Sequence, residues 1–137
     1  SVNYVKVASD GVVYLATNSA FISRIKDGYI DNFPVKDGFD VVDINMISEN
    51  EIGEIWFSSN GNGIFKLLDS TCANISKENG LSSDYCNSLS FDENNNIWVT
   101  FNEGLCKINL QDSTYKNYGI NYGIVDRFLR SSVGVYN

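Results

Sequence analysis

The sequence predicts an all-β fold in which one unit of 42 residues is written three times. Tyr14, Trp56 and Trp98 stand 42 residues apart, each inside a short apolar run. Three positions before each stands a residue that tolerates positive φ, Gly11, Gly53 or Asn95, so each aromatic run leaves a tight hairpin turn. The apolar runs are about five residues long and show no 3.6-residue period, which is the signature of strands and excludes helix pairs.

The elements follow in order within each unit. A first strand is read over 3–7, 45–48 and 87–91. The aromatic strand comes next, over 12–16, 55–57 and 97–99, and its unbroken apolar character predicts burial on both faces. A small residue, Ala20, Gly63 or Gly104, opens a third strand over 21–25, 64–68 and 105–108, whose alternation predicts one wetter face. A polar fourth strand lies around Tyr29-Ile30, 72–75 and 114–116, and Gly38-Phe39, Gly80-Leu81 and Gly123-Ile124 mark the exit turns. The next unit opens at Ile44, Cys86 and Phe128, with Val2 in that role for the first, so the period survives small slips that belong in loops.

Four short strands in about 40 to 45 residues is the size of a propeller blade. The chain is therefore read as a partial β-propeller of about three four-stranded antiparallel blades: blade 1 about 2–43, blade 2 about 44–85, blade 3 about 86–127, and the start of a further blade at 128–137. The first strands should line the central channel, the polar strands should form the rim, and the blades should pack face to face on the aromatics. Blade rings close with typically four to eight blades. Three blades would leave two open faces of aromatic-rich apolar surface, so self-association is expected, two copies approximating a six-blade ring, or else instability in isolation.

Composition sets limits. With 43% hydrophobic and 13% aromatic residues in 137, one sizeable core can form and a disordered reading fails. The net charge is −7 and the 10 Lys and Arg are scattered singly, which argues against a nucleic-acid partner and reads as solubility. No run is long enough to span a membrane, so no membrane contact is expected of this segment. Cys72, Cys86 and Cys106 form no CxxC pattern and the chain has no histidine, so they read as buried small side chains, with one disulfide plus a spare thiol as the alternative.

Catalytic and metal readings are poor. Without histidine there is no Ser-His or Cys-His nucleophile arrangement. The carboxylate pairs Asp40 and Asp43, or Glu49 and Glu51, could in principle work on a sugar, but they read as solvated residues in linkers between units. Asp92, Asn94 and Asn96, with Glu103 at the twelfth position, imitate the ligand spacing of a calcium loop. Ile97 occupies the position where such a loop needs glycine, so the segment reads as a hairpin turn of Asx residues. No catalytic residue, cofactor or metal is expected.

Binding is the better reading, at the loops that end the blades. Asn18, Asn60, Asn62, Asn102 and Glu103 lie in loops equivalent across the units, and Phe101 stands beside them as a candidate ring for stacking on a sugar. The alternative is that these Asn and Gly residues serve turn geometry alone.

The motifs also carry a family resemblance. Gly80-Leu81-Ser82-Ser83-Asp84-Tyr85, then Asn87-Ser88-Leu89, then Asp92 through Ile97-Trp98-Val99-Thr100, then Gly104-Leu105 and Lys107-Ile108 resemble the two-component regulator propeller repeat. The second unit matches through Ile47, Gly53-Glu54-Ile55-Trp56-Phe57 and Gly63-Ile64-Phe65-Lys66, and the first through Asp10-Gly11-Val12-Val13-Tyr14. Departures are confined to turns: no proline follows Leu81, Asn95 replaces the turn glycine, and Ala16-Thr17, Ser58-Ser59 and Thr100-Phe101 stand where Gly-Thr is usual. The resemblance implies the periplasmic sensor region of hybrid two-component histidine kinases of Bacteroidetes, responsive to oligosaccharides, in an inner-membrane-anchored parent whose kinase lies elsewhere. It also touches propeller lyases, which depend on histidine. A scaffold propeller for protein–protein interaction in a surface or secretion assembly is the alternative.

Overall fold

The computed structural model describes residues 2–35, 42–69 and 71–119. Among them are twelve strands in three antiparallel sheets. Sheet 1 holds β1 (Val2–Val7), β2 (Val13–Thr17), β3 (Phe21–Lys26) and β4 (Tyr29–Pro34). Sheet 2 holds β5 (Ile44–Glu49), β6 (Ile55–Ser59), β7 (Ile64–Leu67) and β8 (Cys72–Ile75). Sheet 3 holds β9 (Ser88–Phe91), β10 (Ile97–Phe101), β11 (Gly104–Asn109) and β12 (Thr114–Gly119). Spatial order follows chain order in every sheet, so each is a meander of hairpins.

The first hairpin of each sheet is built the same way three times. The N–H groups of Ala8, Asn50 and Asp92 donate to the carbonyls of Val12, Glu54 and Asn96, and those of Gly11, Gly53 and Asn95 donate back to Ala8, Asn50 and Asp92. Gly11, Gly53 and Asn95 have φ of 88°, 85° and 61°, the left-handed conformation that the spacing predicts. Register is then fixed by pleat: Val13 pairs with Val7, Ile55 with Glu49 and Ile97 with Phe91.

The sheets stack face to face like propeller blades, with β1, β5 and β9 side by side. Tyr14, Ala16, Ile22 and Phe33 of sheet 1 pack on Ile47, Ile55, Phe57 and Phe65 of sheet 2. The opposite face of sheet 2 presents Trp56 and Ile64 to Leu89, Ile97, Val99, Cys106 and Ile108 of sheet 3. Trp56 meets Phe91 edge-on at 6.3 Å, and Ser9 of sheet 1 donates its N–H and Oγ to Glu49 of sheet 2. Burial of these faces is the main source of cohesion between the sheets.

Several expectations need correction. Among the described strands only β6 is buried along its whole length, because sheet 2 has another described sheet on each side; β2 and β10 alternate between buried and half-buried residues. For the same reason β7 begins with two buried residues, Ile64 and Phe65, where alternation was expected. Leu68 lies beyond β7, its N–H closing a turn on the Thr71 carbonyl. The open face of sheet 1 is aliphatic, while that of sheet 3 is the aromatic one. A 3-10 turn over Lys77–Asn79, capped reciprocally by Ser76 and Asn79, precedes Gly80. Glu49 ends β5 and Glu51 sits in the hairpin turn, so neither is in a linker between sheets. The exit turns at Gly38-Phe39 and Gly123-Ile124, Asp40, and the strand opening at Phe128 lie outside the described residues.

Candidate functional site

One end of the stack, where the second strands finish and the first strands begin, carries a repeated polar pairing. Asn3 donates its side-chain amide to Asn18, Asn45 to Asn60 and Asn87 to Asn102, at 2.5, 2.9 and 3.0 Å. Each pair ties a first strand to the loop after the second strand of its own sheet. Asn45 reaches further, donating to the Cys86 carbonyl at 2.8 Å, and Asn60 donates to the Asp43 carboxylate. Three of the residues selected from sequence, Asn18, Asn60 and Asn102, thus have a structural role. Asn62 is half-buried; its N–H donates to Ser59 Oγ and its carbonyl accepts from the Asn74 side chain.

At the same end of sheet 3 a cleft of about 430 Å³ opens between the segment that enters sheet 3 and the β10–β11 and β12 ends. It brings together Phe101, Asn102 and Glu103 from the sequence-selected set and adds Tyr85, Asn117 and Tyr118; Asn18, Asn60 and Asn62 are not part of its wall. Phe101 is 9% exposed and belongs to the core, so it forms a floor and presents no stacking face, which corrects the expectation for that ring. The accessible ring is Tyr85, 62% exposed. The ring lies over Gly61, where an added Cβ would meet it at ordinary contact distance, 3.5 Å. The second ring, Tyr118, stacks on Trp98 at 6.2 Å and 17°, with Lys116 over the Tyr118 ring and Lys107 over the Trp98 ring.

The cleft wall offers two phenols, two carboxamides, one carboxylate and the hydroxyls of Ser82 and Ser83, and among the described residues no Lys or Arg lines it. An exposed Tyr85 ring that can cover C–H surfaces, beside amide and carboxylate groups that exchange hydrogen bonds with hydroxyls, suits a neutral polyhydroxylated ligand better than an anion. Tyr85 closes the Gly80 to Tyr85 motif of the repeat, which in sequence marks the fold and not a site. Asn117 and Tyr118 were missed because the fourth strand runs on to Gly119.

The remaining polar candidates are occupied. Asp92 Oδ1 accepts the N–H groups of Asn94 and Asn96, and Oδ2 accepts the Asn96 amide and the Trp98 indole. Burial would push this carboxyl up; the hydrogen bonds from Trp98, Asn96 and Asn94 outweigh it and hold it below the ordinary carboxylate range. Lys66, bonded to Glu54, holds that carboxyl low as well. All three cysteines are free, and burial pushes the thiols of Cys72 and Cys106 up to about 11 and that of Cys86 up to about 12. Among the described residues no three His, Cys, Asp or Glu side chains converge as metal ligands.

No protein-family model matches the chain, and no curated protein matches it significantly. Solved structures do match. The extracellular domain of the hybrid two-component system BT3049 of B. thetaiotaomicron superposes with a TM-score of 0.74 at 21% identity, over 90% of this chain and 17% of that one. The extracellular domain of BT4673 from the same organism gives 0.71 at 20%, over 88% and 18%. Virginiamycin B lyase of Staphylococcus aureus gives 0.67 at 22%, over 86% and 41%. This chain therefore spans less than half the length of each. The likeness establishes the repeated blade fold, and it includes extracellular domains of the kind of protein whose repeat the sequence resembles. No helix among the described residues is long and apolar enough to cross a membrane.

Proposed function

We propose that this chain is a non-catalytic, extracytoplasmic ligand-binding segment of a two-component sensor, and that its ligand is a neutral oligosaccharide taken by the Tyr85–Tyr118 cleft. The observation that carries the reading is the composition of that cleft: an exposed Tyr85 ring and a Trp98-backed Tyr118 ring flanking Asn102, Glu103 and Asn117. The fold neighbours among extracellular domains of hybrid two-component systems support the sensor part. A kinase, and a membrane anchor for it, would belong to other parts of a parent protein. Signalling would run by population shift, the ligand favouring one arrangement of the sensor by its differential affinity.

The lyase neighbours favour no enzymatic reading here. A catalytically inactive form of that lyase carries alanine in place of a histidine, and this chain has no histidine. Its carboxylates at Asp92, Glu49 and Glu54 are engaged in turn, inter-sheet and ion-pair contacts.

Intrinsic fluorescence tests the binding reading, since Trp98 stacks on a ring of the cleft. Titration with a panel of neutral gluco-, manno- and xylo-oligosaccharides should change the emission for at least one member, and Tyr85→Ala or Glu103→Gln should weaken that binding at least tenfold while leaving the fold intact by circular dichroism. Silence of the whole panel at millimolar concentration, or binding unchanged in both variants, would overturn it.

A further inference from the structure

The junction of sheets 1 and 2 carries less aromatic bulk than the junction of sheets 2 and 3. Between sheets 2 and 3, Trp56 meets Phe91 edge-on at 6.3 Å and is 3% exposed. At the places 42 residues earlier Tyr14 stands for Trp56 and Glu49 for Phe91, and Glu49 is drawn off to Ser9. Beside Tyr14, between sheets 1 and 2, a pocket of about 460 Å³ opens toward the hairpin turns. We propose that this pocket is a second binding site, for a free α-amino acid with an apolar side chain. Arg24 takes its carboxylate, Asp69 takes its ammonium group, and Ile55 and Leu67 receive the side chain.

The apolar part is built from sheet 2. Ile55 is buried, Leu67 packs against the same core, and Leu68, on the turn after β7, carries the aliphatic surface to the mouth. Removing an apolar side chain from water onto that surface supplies the drive for binding. Tyr14, itself buried, closes the sheet 1 side, and burial pushes its phenol up, so it stands there as a neutral hydroxyl.

The charged part selects the ligand. Lys66 and Glu54 in the wall neutralise each other as an ion pair. Arg24 lies opposite Tyr14 in the sheet and over the Phe33 ring at 4.4 Å, which fixes the guanidinium in place. Among the described residues its contact to a carboxylate is single, from Nη2 to Asp31 at 3.2 Å, and its Nε is buried without an acceptor. The guanidinium is thus under-satisfied, and its planar fork fits a carboxylate. Asp69 is exposed on the turn at the mouth. A simple anion in the pocket would meet Asp69 and Glu54, and a simple cation would meet Arg24 and Lys66; a zwitterion satisfies both signs. The pocket lies at the opposite end of the stack from the Tyr85 cleft, so the two sites stand separately.

An NMR titration of the isotope-labelled chain with L-phenylalanine tests the site. Backbone amide shifts should move saturably at millimolar concentration at residues 53–55 and 67–69. Phenethylamine and hydrocinnamate, which each lack one of the two charges, should bind at least about tenfold more weakly, the worth of one hydrogen bond to a charged group. Arg24→Gln should erase the preference over phenethylamine. Asp69→Asn, at an exposed turn, should erase the preference over hydrocinnamate, and circular dichroism checks the fold of both variants. Absence of shifts at these residues, an analogue that binds as tightly as L-phenylalanine, or a preference that survives in its folded variant would each overturn the proposal.

Discussion

The Trp98 indole donates to Asp92 Oδ2 at 3.0 Å, joining the hairpin turn of sheet 3 to the ring that forms its outer face. Asp92 accepts four hydrogen bonds through its two carboxylate oxygens, and the amide of Asn96, which is buried, depends on it. Asp92→Ala should therefore cost about 2–4 kcal/mol, because bonds to a charged acceptor are lost and a buried donor is left unpaired. Urea unfolding of the two proteins checks the value.

The same carboxylate sets a pH dependence. Its folded pKa is held below the unfolded value of about 3.9, so its contribution is complete above that value and is lost as pH falls through the folded pKa. Thermal melts of the unaltered chain should show a midpoint falling from pH 5 to pH 2, and Asp92→Asn should flatten that fall.

Two glycines separate strain from crowding. At Gly11 an added Cβ meets nothing within 4 Å, but φ is +88°; at Gly63 φ is +78° and the Cβ would stand 2.2 Å from the Ile75 carbonyl oxygen. Gly11→Ala should cost about 1–2 kcal/mol from backbone conformation alone. Gly63→Ala should cost more than that, because β7 and β8 must move apart; equal losses in chemical denaturation would contradict the account.

Asn45 links three segments, donating to Asn60 and to the Cys86 carbonyl across the junction of sheets 2 and 3. Asn45→Ala should cost about 1–3 kcal/mol, whereas Asn3→Ala, at an exposed pair, should cost less than about 1 kcal/mol.

Thiol reactivity should follow burial. Cys86 and Cys106 are fully buried and Cys72 is partly exposed, with all three pKa values raised by burial to about 12, 11 and 11. At pH 8 in native buffer, alkylation read by mass spectrometry should reach Cys72 first and be slow at all three, with unfolding in guanidinium accelerating it at every site.

The hairpins were the most legible part of the sequence, because Gly11, Gly53 and Asn95 mark a backbone conformation that few residues adopt and the period repeats it. The burial of each aromatic strand was not legible: Trp56 and Trp98 share one sequence context, and only the position of their sheets in the stack buries one and leaves the other half-exposed. The site divided the same way. Asn102 could be found because it recurs with Asn18 and Asn60, and Glu103 because it is its neighbour in the same loop, but Phe101 turned inward with the pleat of β10, while Tyr85 and Tyr118 reach the cleft from other segments.

The stacking of repeated sheets is tested most directly by acrylamide quenching of two single-tryptophan variants, Trp98→Phe and Trp56→Phe, at dilutions where the chain is monomeric. Trp56, sealed between sheets 2 and 3, should emit at shorter wavelength and resist quenching, and Trp98, on the outer face of sheet 3, should be quenched several-fold more strongly. Equal quenching, or a Trp56 more accessible than Trp98, would contradict the face-to-face arrangement on which the rest depends.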